Sequence, residues 1–131
     1  MLQPSLFKDY IHLGLGATAE VQPLFTGMAW YGDYIARTAA DGIEGRLVSL
    51  STFTENWDSW EMHPSGAEVV VCTAGAMTIH QEMADGSKAT VTLGPGDYAI
   101  NPPGVWHTAD VVGEATALFI TAGLGTEHRP R

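Results

Sequence analysis

Residues 60–70 read WEMHPSGAEVV, which sets Glu61, His63 and Glu68 beside a valine run. Side chains alternate faces along a strand, so Glu61 and His63 share one face, and Glu68, Val70 and Cys72 likewise share one face of theirs. Pro64-Ser65-Gly66 can reverse the chain between them, and a hairpin folded there would bring Glu68 back beside the Glu61/His63 pair. Two carboxylates and an imidazole left unpaired in an apolar interior are costly. A divalent cation is the simplest remedy, and this donor set suits iron, zinc, manganese, nickel or cobalt. An isolated E-x-H more often marks a solvated strand face, so a second stretch has to decide.

That stretch is GDYAINPPGVWH, with Gly96, Pro102, Gly104 and His107 as its fixed points. It resembles the second motif of the cupins, small β-barrels: a glycine, five residues, a proline, one residue, a glycine, two residues and a histidine. The cupin first motif ends in histidine, four residues, glutamate, six residues and glycine, and His63, Glu68 and Gly75 match it. The two motifs span about residues 61–107, and the string W-E-x-H-P looks like one subgroup's form of the first. Three positions depart from the pattern. Glu55 replaces the first glycine, Glu61 the first histidine of H-x-H, and Val111 the asparagine that closes the second motif. The resemblance implies an all-β double-stranded β-helix (a jelly-roll barrel) with His63, Glu68 and His107 as metal ligands. It places Glu61 where the fourth ligand belongs.

Glu61 then has three readings. As a ligand it would complete a site of two histidines and two carboxylates, with net charge zero around a divalent ion instead of +1. Beside a three-ligand site it would serve as a catalytic general base or hold a water. Without a metal, the four residues would form a hydrogen-bonded acid–base cluster in a ligand pocket. Val70 and Cys72 continue the Glu68 face and are expected to line that pocket. Cys72 reads as a small buried hydrophobe with no basic neighbour on its strand to activate it.

Short strands must position these residues. Fifteen glycines and seven prolines in 131 residues punctuate the chain into eight or nine strand-like runs, the pattern of a sandwich or barrel. AWYGDYIAR is aromatic and β-branched and reads as a strand. Asp85-Gly86 reads as a hairpin turn between AMTIHQEM and SKATVTL, and Pro103-Gly104 suits the centre of a type II turn. A helical turn is expected near residues 4–10. We read one domain over residues 1–131: an N-terminal arm (1–27), the barrel (28–122) and a polar tail (123–131) that frays. His12 and His128 are expected at the surface or in the tail. His80 is placed on a strand away from the site, and Trp60 and Trp106 point away from it by alternation.

The net charge of −9 disfavours nucleic acid and anionic membranes as partners. No stretch is long and apolar enough for a bilayer, and the N-terminus lacks the features of a signal peptide. The single cysteine fits a reducing compartment, so a soluble cytoplasmic protein is expected. The resemblance implies a homodimer and one divalent transition-metal ion used on a small organic molecule, in a dioxygenase or a lyase or isomerase reaction. The rival reading is a non-catalytic module that binds or senses a small ligand.

Overall fold

The computed structural model describes residues 3–131. Among these residues nine strands follow one another as β1 (Ile11–Gly14), β2 (Thr18–Val21), β3 (Arg46–Phe53), β4 (Ser59–Met62), β5 (Glu68–Glu82), β6 (Lys88–Leu93), β7 (Tyr98–Asn101), β8 (Trp106–Thr121) and β9 (Glu127–Pro130). They pair antiparallel in one continuous sheet. Two of them, β5 and β8, are long and lie side by side from Val69↔Ile120 to Glu82↔Trp106. Both bend midway, so the sheet folds into two layers. In one layer the order is β2-β1-β3-β8-β5-β7, through the last half of β8 and the first half of β5. In the other it is β9-β4-β8-β5-β6, through the opposite halves. This is the jelly-roll barrel expected.

The bend in β5 lies at Gly75, where the register with β8 shifts on either side. Gly75 has φ +71, and a Cβ there would sit 2.1 Å from the carbonyl oxygen of Glu114. Only glycine permits that backbone and that approach. Val70, Cys72, Met77, Ile79 and Leu93 fill the space between the layers with Ala109, Ala115, Ala117 and Phe119 from β8. Val70 and Cys72 do point inward with Glu68, but into this packed core instead of an open pocket. Burial raises the Cys72 thiol pKa, which fits an inert residue.

Four expectations need correction. AWYGDYIAR is a helix, α1 (Ala29–Arg37), and not a strand. Trp30 and Tyr34 lie four apart, so in a helix both rings reach the same face, and there they are buried and stacked at 5.3 Å. Arg37 in the last turn lays its guanidinium over both rings. A short aromatic run satisfies either period, and burial of this pair decides for the helix. His12 is not at the surface but 3 % exposed, because β1 is paired on both sides. Its Nε2 donates to the Asp41 carboxylate at 2.6 Å, and its Nδ1 meets the Tyr34 hydroxyl at 2.6 Å. The tail does not fray: β9 pairs with β4 from Ser59↔Pro130 to Met62↔Glu127. Pro64–Gly66 is no hairpin, since β4 pairs with β8 and β9 while β5 pairs with β6, β7 and β8. That segment crosses from one layer to the other.

The turns come out as read. Gly86 (φ +84) caps the β5–β6 hairpin, and Gly104 (φ +78) donates its N–H to the carbonyl of His63. Near residue 5 the chain makes a single hydrogen-bonded turn, Asp9 N–H to Ser5 carbonyl.

Candidate metal centre

The crossover sets where each donor stands. Glu61 on β4 is the direct cross-strand partner of His107 on β8, and His63 follows just past the end of β4. Glu68 opens β5 in the opposite layer, paired with Asn101 of β7. The four side chains meet at one end of the barrel, between the layers. One donor atom from each lies within 4.8 Å of the others. His63, Glu68 and His107 are buried, and Glu61 is partly exposed.

Both histidines aim Nε2 at both carboxylates. His63 Nε2 is 2.9 Å from Glu61 and 3.1 Å from Glu68. His107 Nε2 is 3.6 Å from Glu61 and 3.2 Å from Glu68. Close as these contacts are, neither Nε2 makes an aligned hydrogen bond, and both atoms are fully buried. Buried ring nitrogens are rarely left so. Lone pairs converging on one point, from two imidazoles and two carboxylates, are what a transition metal requires. The donor set therefore fits such an ion.

Without an ion, the four groups are coupled as ion pairs. Burial works against charge on every member and is the largest single influence, yet the opposite charges outweigh it. The contacts with Glu61 and Glu68 push His63 and His107 up to about 9. The same contacts hold Glu68 down to about 2 and Glu61 well below the usual carboxylate range.

A second ring of residues, not foreseen from the sequence, holds the donors. Asn101 Nδ2 donates to Glu68 at 3.1 Å, and the Thr121 hydroxyl donates to the other oxygen at 2.6 Å. Gln81 Nε2 donates to Asn101 Oδ1 and so fixes which way that amide faces. Thr126 lies 2.8 Å from His63 Nδ1, and His128 Nε2 lies 3.1 Å from Glu61. Asn101 sits in NPPG, whose prolines and glycine announce only a turn. No local signal marks Thr121, Thr126 or His128, because their role depends on strand pairing. Trp60 and Trp106 face away, as alternation requires, and His80 pairs instead with Asp110 at 2.8 Å.

The barrel behind the donors is filled. The rings of Trp57 and Phe119 pack together, and Trp57 stands edge-on to His107 at 6.1 Å. Two hollows, of about 310 and 220 Å³, lie elsewhere: one against Val91–Leu93 and Gly96–Tyr98, the other around Trp60, His80 and Lys88. Of the four donors Glu61 alone is partly exposed, so the centre meets solvent on its side. Tyr31 of α1 lies there: burial, Tyr10 and the Glu61 charge together raise its phenol to about 12.

The family model for the cupin domain matches residues 53–123, which include all four donors. The chain belongs to the cupins. No curated protein matches it. Among solved structures, this cupin resembles an oxalate oxidase in complex with the substrate analogue glycolate, with TM-score 0.58 and 16 % identity over 71 % of this chain and 50 % of that one. It also resembles Peruvianin-I, a cysteine peptidase from Thevetia peruviana latex, with TM-score 0.56 and 22 % identity over 65 % and 56 %. A third is hydroquinone 1,2-dioxygenase from Sphingomonas sp. TTNP3, with TM-score 0.50 and 14 % identity over 58 % and 59 %. The cupin spans about half the length of these proteins, and at such identities the likeness is one of fold. Among the described residues no helix is long and apolar enough to cross a membrane.

Proposed function

We infer that this cupin binds one divalent transition-metal ion through Glu61, His63, Glu68 and His107 and acts on a small organic molecule that reaches the ion from the Glu61 side. One observation carries the reading: two buried imidazole Nε2 atoms, without aligned hydrogen bonds, converge on two buried or half-buried carboxylates. Without an ion the two Nε2 atoms have only close, poorly aligned charge contacts with the carboxylates, so the metal-free reading is the weaker one. Glu61 counts as a ligand here because one of its oxygens faces both histidines, 2.9 Å from His63 and 3.6 Å from His107.

Bound at this centre, such an ion would supply Lewis-acid polarisation of a substrate oxygen or a seat for dioxygen. The rest belongs to the chain. Asn101 and Thr121 hold Glu68 in place. Trp57 and Phe119 close the interior side to water. Glu61, backed by His128, stands at the solvent edge, where it completes the donor set on the side a substrate would approach. With two carboxylates the site is neutral around a divalent ion, so it attracts an anionic substrate less than a three-histidine cupin site would.

The oxalate oxidase and hydroquinone dioxygenase folds support an oxidative role, but a lyase or isomerase reaction fits the same donors. Oxygen uptake during turnover separates the two. The metal reading is tested by purifying the untagged protein without chelator and counting metal per chain. We expect close to one ion, and a chain that takes up neither iron, zinc, manganese, nickel nor cobalt overturns the reading. Glu61→Gln tests the ligand assignment, since it should weaken metal retention by at least about 10-fold, whereas a general base would leave retention intact.

A further inference from the structure

The last nine residues read GLGTEHRPR from Gly123, as a polar end would. In the fold they form a strap across two of the four donors. Thr126 has one hydroxyl hydrogen, and it goes to the Gly123 carbonyl at 2.8 Å. Toward His63 Nδ1, also 2.8 Å away, Thr126 can therefore only accept. His63 must carry its hydrogen on Nδ1, which leaves Nε2 bare when the ring is neutral. Two residues on, His128 is the cross-strand partner of Glu61 and holds Oε2, so that Oε1 alone faces the two histidines. Arg129 pins the strap: its guanidinium lies 5.2 Å from the ring centre of Trp60 and 4.5 Å from that of Trp106, and pairs with Glu82 at 2.6 Å. Arg131 adds an ion pair with Asp110 and a bond to the Trp57 carbonyl. His107 has no such partner, since its Nδ1 is buried and unbonded among the described residues.

We propose that the C-terminal strand selects the donor atoms of the metal centre, with Thr126 setting the tautomer of His63 and His128 restricting Glu61 to a single oxygen. Thr126 and His128 are positioning residues, acting through His63 and Glu61. The proposal rests on the metal reading above. Outer partners of this kind change metal affinity by about 10- to 100-fold.

The test uses the full chain loaded with Co²⁺, whose visible spectrum reports ligand number. Thr126→Val should weaken Co²⁺ binding about 10- to 100-fold, and Thr126→Ser should restore it. His128→Ala, at a half-exposed position that tolerates truncation, should let the second oxygen of Glu61 reach the metal. The visible bands should then lose intensity as the ligand number rises, while the metal-free protein melts as before. Arg129→Ala should produce both changes together by loosening the strap. A Thr126→Val protein that binds Co²⁺ as tightly as the unaltered chain overturns the role of Thr126. A His128→Ala spectrum identical to that of the unaltered chain overturns the role of His128. If the unaltered chain itself takes no Co²⁺ or other metal, the metal reading fails and this proposal with it.

Discussion

Glu68 and Asn101 face each other across β5 and β7, both buried, with the amide 3.1 Å from the carboxylate. Asn101 in turn accepts from Gln81 at 2.8 Å, so two residues from different strands act in series to hold one donor in one orientation. We expect Asn101→Leu, close in shape, to strip Glu68 of one hydrogen bond inside the protein. A buried acceptor left unmatched costs about 1–3 kcal/mol. Chemical denaturation of the metal-free protein should show a loss of that order. An unchanged midpoint would mean that the amide contributes nothing to holding Glu68.

Metal uptake should release protons. The Glu61 and Glu68 carboxylates hold His63 and His107 up to about 9, so at pH 7 the metal-free centre carries a proton on each ring. A metal ligand must be bare, so binding expels both. Calorimetric titration in buffers of different ionisation enthalpy should count about two protons at pH 7, with affinity rising toward pH 9. A count of zero would show that the histidines are neutral before the metal arrives.

The metal-free protein should show the same groups in its stability. For the histidines, raised from 6.5, the contribution is complete below that value and disappears as pH rises through about 9. For Glu68, lowered from 4.5, it is complete above that value and disappears as pH falls toward about 2. Thermal melts should therefore peak between about pH 4.5 and 6.5. Saturating metal should lift the alkaline side, since it takes the place of the protons. A flat profile across this range would contradict the charge pairing.

Two glycines of similar dihedral angle should respond differently to alanine. Gly86 (φ +84) has open space where a Cβ would stand, so Gly86→Ala costs only the left-handed backbone, about 1–2 kcal/mol. At Gly75 (φ +71) the added carbon would meet the Glu114 carbonyl oxygen at 2.1 Å. Gly75→Ala must also push β5 from β8 at the bend, so its loss should exceed that of Gly86→Ala clearly. Equal losses would mean that the bend does not depend on the close approach.

The barrel, and the meeting of His63, Glu68 and His107 at one end of it, were legible in the linear text because both depend on short spacings. His63-x4-Glu68-x6-Gly75 and Gly96-x5-Pro102-x-Gly104-xx-His107 encode a strand face, a bend and a turn, each settled within a few residues. Gly75 and Gly104 take the positive φ that those places demand. Local chemistry suffices there, since the backbone admits little else.

What the spacing did not carry was pairing over long separations. The route by which Glu68 arrives, a crossover between layers instead of a hairpin, depends on β8 lying between β4 and β5. The same holds for His12, interior because β1 has neighbours on both sides, and for β9, ordered because β4 offers an edge and Trp60 and Trp106 hold Arg129. Helix α1 replaced the expected strand because Trp30 and Tyr34 bury together against Tyr10 and Leu47, which an isolated aromatic run does not reveal. Glu61 shows both sides. Its position in the motif named it as a substitute for a histidine, while its contacts with His107 and His128 come from two strand pairings, β4 with β8 and β4 with β9, that no window of sequence contains.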